Sequence, residues 1–319
     1  MPATAPRIAV LIAAYNAEAT LDRAVASALA QPETAEVCIV DDCSSDATLA
    51  LARAWSERDG RVVALAQSVN CGPASARNAA IAATSAPWLT ILDADDYMLA
   101  GRLKATMTMA GEADFIADAL MRVSEGETPD PPAAPKASSP LTFEAFVRGN
   151  LGQTRGPLDL GFLKPIFSRA FIETHGLRYQ EQMRLGEDYE FYARALALGA
   201  RFVTCGPAGY VSVERAGSLS KDHSEADLRR LRDCDAGLSE VRPLSAQERR
   251  ALRAHWTSVD CRLQWRRLIS AVKARNAGAA LATFHTPAAA TYLAARLAEQ
   301  AVLRTRAAIG GLFAARAAT

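Results

Sequence analysis

The chain of 319 residues carries 36 Lys and Arg against 35 Asp and Glu, a net charge of +1 at pH 7, with 50% of its residues hydrophobic and 22% charged. That balance excludes a nucleic-acid binder acting by bulk charge and is ordinary for a soluble globular protein. The length exceeds one compact core and suits one large domain with an appendage.

Residues 7–13 (RIAVLIA) are short, continuous and rich in branched side chains, as in a strand buried on both faces. Helical spacing follows from Thr20 to Ala30, with Leu21, Val25, Ala28 and Leu29 on one side. Residues 37–41 (VCIVD) predict a second buried strand, and Ser44 or Ser45 is expected to cap a helix from Asp46 to Arg58. Arg61–Ala66 predicts a third strand, Gly72–Thr84 a helix of small residues, and Trp88–Leu92 a fourth strand. This alternation implies right-handed crossovers and a mostly parallel α/β sheet with helices on both faces. Ligands of such sheets bind beyond the carboxyl ends of the strands. Those ends carry Tyr15-Asn16, Asp41-Asp42 and Asp93-Ala94-Asp95-Asp96.

The remainder is less regular. Residues 129–140 (PDPPAAPKASSP) predict a surface loop or linker. Residues 142–148 look helical, Gly161–Phe167 predicts a strand, and Glu187–Leu198 an amphipathic helix ended by Gly199. Arg201–Cys205 and Tyr210–Glu214 predict strands, and from Glu225 onward the pattern is helical, with breaks near Pro243, Gly278 and Pro287. From Arg242 to the end, 13 Arg and Lys face 3 Asp and Glu; this net +10 leaves −9 for residues 1–241. A basic tail on an acidic body fits either an anionic membrane surface or a solvated helical face. No stretch of about 18 apolar residues predicts a transmembrane helix. The apolar run at Ile8–Ala14 is too short for a signal peptide, and the six cysteines match no zinc spacing, so a cytoplasmic setting is expected.

The acidic run after the fourth strand has the most chemical content. Asp93 and Asp95, two residues apart in extended chain, face one way, and neighbouring carboxylates repel unless a cation attends them. Hard oxygen ligands of this kind suit Mg²⁺ or Mn²⁺ shared with substrate phosphates; a turn capping the next helix is the plainer alternative. Asp41 or Asp42 can accept a hydrogen bond from a nucleobase or ribose, and Tyr15 can stack on a base or pack half-buried. Arg77, one turn into the third helix, can pair with a diphosphate or stand as a surface arginine. Glu187 and Asp188 open a helix whose dipole favours acids, and Asp188 can also serve as a general base for an attacking hydroxyl. His223 is a candidate third metal ligand, and Lys221 and Arg215 candidate phosphate neighbours in a lid.

In order and spacing these segments resemble glycosyltransferase family 2, with the GT-A (Rossmann-like) fold. They are residues 8–31, 37–48 (VCIVDDCSSDAT), 70–81 (NCGPASARNAAI), 89–96 (LTILDADD), 163–167 (LKPIF) and 186–202 (GEDYEFYARALALGARF). The resemblance covers about the first 220 residues and implies a catalytic domain over 1–222. Its donor half would run to about residue 117 and its acceptor half over 118–222, with a helical C-terminal region over 223–319. It implies an inverting transfer from a nucleotide-diphosphate sugar, UDP-linked in many members, with a divalent cation, Mg²⁺ or Mn²⁺. Carried over by position, Ala14, Tyr15, Asn16, Asp41, Asp42, Arg77, Asp93 and Ala94 would bind the donor. Tyr15 would stack on the uracil, Asp42 contact it, and Asp93 face the ribose. Asp95 would bind the metal through the diphosphate, Asp188 would be the base, and Glu187 and Lys164 would lie on the acceptor side; His223 stays the residue-level candidate for a further metal ligand or a diphosphate contact. Ala13 departs from the proline usual before the small residue and Tyr-Asn.

The chain looks like bacterial transferases that build exopolysaccharide or other surface glycans on glycan or lipid-linked acceptors. Such an enzyme would be cytoplasmic or peripheral at the inner membrane face, held there by its basic helices. A non-catalytic nucleotide-sugar or glycan-binding module of the same fold is the alternative. A dinucleotide-binding dehydrogenase is disfavoured because Ala13-Ala14-Tyr15-Asn16-Ala17 lacks the glycine fingerprint. An aspartyl phosphatase is disfavoured by the late position of Asp93.

Overall fold

The computed structural model describes residues 7–152, 160–214 and 223–317, with side chains to Leu303. Three parallel strands and their helices come first: β1 (Ile8–Ala14), α1 (Leu21–Leu29), β2 (Thr34–Asp41), α2 (Thr48–Arg58), β3 (Val62–Ala66) and α3 (Pro73–Ala83). Then follow β4 (Trp88–Ile91), β5 (Tyr97–Met98), α4 (Arg102–Thr108), β6 (Phe115–Asp118), β7 (Met121–Ser124), β8 (Ser138–Pro140) and α5 (Phe143–Arg148). A 3₁₀ turn at Leu160–Phe162 precedes β9 (Ile166–Ser168), α6 (Arg169–Thr174), α7 (Glu187–Ala197), β10 (Phe202–Cys205) and β11 (Tyr210–Glu214). The chain closes with α8 (Glu225–Glu240), α9 (Ala246–Lys273), α10 (Ala277–Ala282) and α11 (Pro287–Ala317).

The main sheet has the order β3-β2-β1-β4-β9-β6-β10-β8. β9 and β8 run antiparallel to their neighbours, and the other adjacent pairs are parallel. A second sheet, β5-β11-β7, lies beside it. The alternation of β1 builds the layers. Ile8, Val10, Ile12 and Ala14 pack with α1, α2 and α4 on one face, while Ala9 and Leu11 pack with α3, α5 and α7 on the other. Leu21, Ala24, Val25 and Ala28 recur at helical spacing and bury one stripe of α1. The second core continues without a break into α8 and α9 through Leu228, Leu231, Leu238, Leu252, Val259 and Leu263. Every strand of the β1, β2, β4 trio therefore ends at the same sheet edge, which faces the start of α7.

Several expectations are corrected. The predicted strand at 161–167 is a 3₁₀ turn followed by a three-residue strand, because β9 pairs between β4 and β6 only from Ile166. The 129–140 segment is exposed, yet Ser138–Pro140 pairs with β10 at the sheet edge, where proline's missing N–H faces no partner strand. Neither Ser44 nor Ser45 caps α2. Asp46 Oδ1 accepts the Thr48 N–H at 3.0 Å and Glu18 Oε2 the Ala47 N–H at 2.9 Å, so the cap is supplied partly from the preceding loop. The helix break expected at Gly278 falls at Arg275, with φ 54°, and Gly278 lies inside α10. All six cysteines are free thiols; burial, then Glu36, pushes Cys38 up to about 12. No helix among the described residues is long and apolar enough to cross a membrane.

A candidate active site at the strand ends

The loops after β1 and β2 are stitched together. Asn16, at φ 48°, donates its N–H to Ser44 Oγ at 3.0 Å and accepts the Ser45 N–H on Oδ1 at 2.9 Å. Ala17 N–H donates to Thr48 Oγ1 at 2.7 Å. With its neighbours so fixed, Tyr15 stands 43% exposed on the cleft wall beside buried Ala14. Asp41 and Asp42 separate. Asp41 is buried, accepts the Ser44 N–H on Oδ2 at 3.2 Å and lies outside the cleft lining. Asp42 lines the cleft, and its two oxygens accept the N–H groups of Cys71 at 2.7 Å and Gly72 at 2.8 Å. Gly72 needs its glycine, since φ is +91° there and the backbone closes on the carboxylate.

The acidic run after β4 divides its work. Asp93, Ala94 and Asp95 line the cleft. Asp96 turns inward, where Oδ2 accepts the Tyr210 hydroxyl at 2.9 Å and Oδ1 the Val213 N–H at 2.9 Å. Burial, then the charges of Asp93 and Asp95, pushes Asp96 up to about 7. The same Tyr210 oxygen accepts the Asp93 N–H at 3.2 Å, tying the run to β11.

The cation that attends Asp93 is supplied by side chains. Lys164 Nζ lies 2.9 Å from Asp93 Oδ2 and 2.8 Å from Asp188 Oδ2. The Arg77 guanidinium reaches Asp93 Oδ1 at 3.0 Å, Glu187 Oε1 at 2.8 Å and Asp188 Oδ1 at 2.9 Å. Both cations are 5% exposed at the side chain. Three carboxyl groups thus share two cations at the cleft floor. Against the cost of burial, Lys164 and then Arg77 hold Asp93 down to about 2. Burial, then Asp188, raises Glu187 against the pull of Arg77. Arg77 is therefore no surface residue; it joins strand end β4 to the N-terminus of α7, whose dipole also favours Glu187 and Asp188.

Behind the floor stands a second, fully buried pair. Arg102 donates to Asp118 Oδ1 from Nε at 3.0 Å and Nη2 at 2.8 Å, and Nη2 also donates to the Lys164 carbonyl at 2.6 Å. Asp118 Oδ2 accepts the N–H of Tyr210 at 3.1 Å. This pair sets where Lys164 and Tyr210 sit. Sequence reasoning missed it because Arg102 and Asp118 lie in stretches without a strong period; Tyr210 opens a predicted strand, but nothing there marks its hydroxyl as a partner of Asp93 and Asp96. Sequence reasoning also missed His255 of α9, although a histidine in the apolar row Leu252, Val259, Leu263 is a usable signal that a buried partner is near.

Asp42, Arg77, Asp93, Asp95, Glu187, Asp188 and His223 all line one cleft of about 910 Å³, shared with Arg184, His255 and Arg262. Lys164 meets it through its bonds to Asp93 and Asp188. Arg215 and Lys221 lie outside the described residues. Among the described residues no three His, Cys, Asp or Glu side chains gather in a metal-ligating cluster. A site that relies on substrate phosphates for most of its ligands needs only one or two carboxylates, and Asp95 on the cleft wall fits that donor set.

A family model described as Glycosyl transferase family 2 matches residues 9–171. The succinoglycan biosynthesis protein ExoU of Rhizobium meliloti (strain 1021) is 42% identical over 277 residues, which cover 84% of this chain and 80% of that protein. ExoO of the same organism, also a succinoglycan biosynthesis protein, is 39% identical over 69% of this chain and 66% of its own. The fold is shared with residues 1–349 of S. aureus TarS, solved with UDP-GlcNAc, at a TM-score of 0.63 and 18% identity over 87% of this chain and 90% of that one. It is shared too with the mannosyltransferase PcManGT of Pyrobaculum calidifontis, solved with GDP-Man and Mn²⁺, at a TM-score of 0.56 and 20% identity over 97% and 81%.

Proposed function

Because the chain belongs to glycosyltransferase family 2, we propose that it moves a sugar, with inversion, from a UDP-sugar to a glycan or lipid-linked acceptor in exopolysaccharide synthesis. The observation that carries this reading is the convergence of Asp42, Asp95 and Asp188 on one cleft at the carboxyl ends of the parallel strands. The succinoglycan roles of the two relatives support the pathway, and the UDP-GlcNAc of the TarS structure supports the donor class.

In this reading Tyr15 flanks the base and Asp42 orients it while holding the Cys71–Gly72 turn. Asp95, with His223 of the same cleft lining, would hold a divalent cation, which would supply charge neutralisation to the departing diphosphate. Asp188 takes the proton of the acceptor hydroxyl as that oxygen attacks the anomeric carbon. Lys164 and Arg77 fix the Asp188 carboxylate by two separate ion pairs, so its lone pairs are aimed before any substrate arrives. The basic C-terminal helices, where Leu297, Val302 and Leu303 are exposed on α11, would rest on an anionic membrane surface.

The test is release of nucleotide from UDP-, GDP- and TDP-sugars, with Mn²⁺ and with chelator. Turnover of a UDP-sugar is expected. Asp188→Asn is expected to lower kcat by about 10²- to 10⁴-fold with the donor KM little changed. Binding of a nucleotide sugar without turnover would favour a binding module instead.

A further inference from the structure

The cleft wall contributed by the C-terminal helices holds a buried polar cluster that the ion-pair network does not use. His255, on α9, is 2% exposed and lines the cleft. Its Nδ1 lies 2.8 Å from Asp235 Oδ2 on α8, and Asp235 Oδ1 accepts the Tyr189 hydroxyl at 2.9 Å. The Tyr189 ring stacks on the imidazole with centroids 4.1 Å apart and planes at 24°, and the Phe146 and Tyr189 rings stack with centroids 5.7 Å apart. Burial, then Asp235, pushes the Tyr189 phenol well above its usual range, so it remains a donor.

A buried histidine whose only task was packing would have both ring nitrogens satisfied or sealed. Here Asp235 takes Nδ1 and sets the tautomer, while no described residue bonds Nε2. His255 is nonetheless one of the residues that line the cleft, beside Tyr189 and Asp188. The ring is therefore oriented by Asp235 and Tyr189 and keeps a second nitrogen to offer at the cleft wall. Tyr189, which it stacks on, directly follows Asp188 on α7. A hydroxyl within reach of Asp188 belongs to a molecule that must also meet the wall behind it, whereas Tyr15, Asp42 and Asp95 come from the strand ends.

We propose that His255 Nε2 hydrogen-bonds a hydroxyl of the acceptor sugar, so that the α8–α9 wall forms the acceptor subsite and His255 helps set acceptor choice. With Nδ1 given to Asp235, Nε2 is the nitrogen that accepts the hydrogen bond from the sugar O–H. The assignment rests on the transferase reading above.

The experiment measures transfer from a UDP-sugar to a panel of p-nitrophenyl glycosides of glucose, galactose and N-acetylglucosamine. It compares the natural chain with His255→Phe, which keeps a ring on Tyr189, and with Asp235→Asn, which leaves one acceptor oxygen for the imidazole N–H and the Tyr189 hydroxyl together. Both variants are expected to raise the acceptor KM by about tenfold or more, Asp235→Asn less than His255→Phe, while the donor KM moves less than about twofold. An unchanged acceptor KM in His255→Phe overturns the proposal. So does a donor KM that rises in step, which would make the cluster part of the donor site or the fold. If His255→Phe does not fold, Asp235→Asn decides by the same split. A natural chain that hydrolyses the donor in water but transfers to no glycoside also overturns it. Failure to release nucleotide from any donor sinks the transferase reading instead.

Discussion

At the scale of single residues, the site is an arrangement of charges that need each other. Lys164 lies between Asp93 and Asp188, so removing it leaves two carboxylates facing one another with only Arg77 to hold them. Lys164→Met is expected to cost about 3 kcal/mol of stability, the scale for breaking a buried ion pair from one side, as read by urea unfolding. Asp96 has the opposite problem. Its folded pKa of about 7 stands above the ordinary aspartate value, so it favours the fold while protonated and works against it once ionised. The contribution is complete below about pH 4 and is lost as pH rises through about 7. Melting temperatures of Asp96→Asn and the natural chain are therefore expected to diverge in the variant's favour across that window. A difference independent of pH would mean that Asp96 stays ionised in the fold.

At the scale of elements, α7 is held to its neighbour by a position without a side chain. Gly186 caps α7 at φ +70°, and a Cβ there would lie 2.5 Å from Leu231 Cδ1 of α8. Gly186→Ala is expected to cost about 1–3 kcal/mol and to tilt Glu187 and Asp188 off Arg77. Adding Leu231→Ala should relieve the clash but not the left-handed backbone; a double-mutant cycle by thermal unfolding measures the split. Much of this architecture is legible in the sequence. The β1, β2 and β4 strands stand out because buried parallel strands are continuous apolar runs, and the acids at their ends follow from chain order. The middle of the chain is not legible in the same way. Strands β5, β6 and β7 are two to four residues long, too short for a period to show, and their pairing is decided by tertiary partners. The role of Arg77 was open to sequence only as a choice between surface and diphosphate. Its bridge to Glu187, 110 positions away, depends on how the sheet and α7 meet.

At the scale of the whole molecule, charge and apolar surface are unevenly shared. The acidic body bears −9 over residues 1–241 and the remainder +10. On α11, Ala289 and Leu293 are buried while Leu297, Val302 and Leu303 are exposed. The side chains of Arg304, Arg306 and Arg316 lie outside the described residues. Deleting residues 288–319 is expected to weaken cosedimentation with phosphatidylserine vesicles by about tenfold or more, at about 1 kcal/mol per basic residue at the surface, with little change on neutral vesicles. Equal binding by the shortened chain would reject the membrane role.

The unbroken packing from α7 through α8 to α9 also governs how this molecule can be re-engineered or diversified. Leu228, Leu231, Leu252 and Val259 belong to the same interior as Phe115 and Phe191, so α8 and α9 are not a detachable module. Chimeras that swap this segment between homologues must import the matching faces of α5 and α7 with it. The strand-end cleft and the α8–α9 wall that closes it are bound to be inherited, and to drift, as one piece.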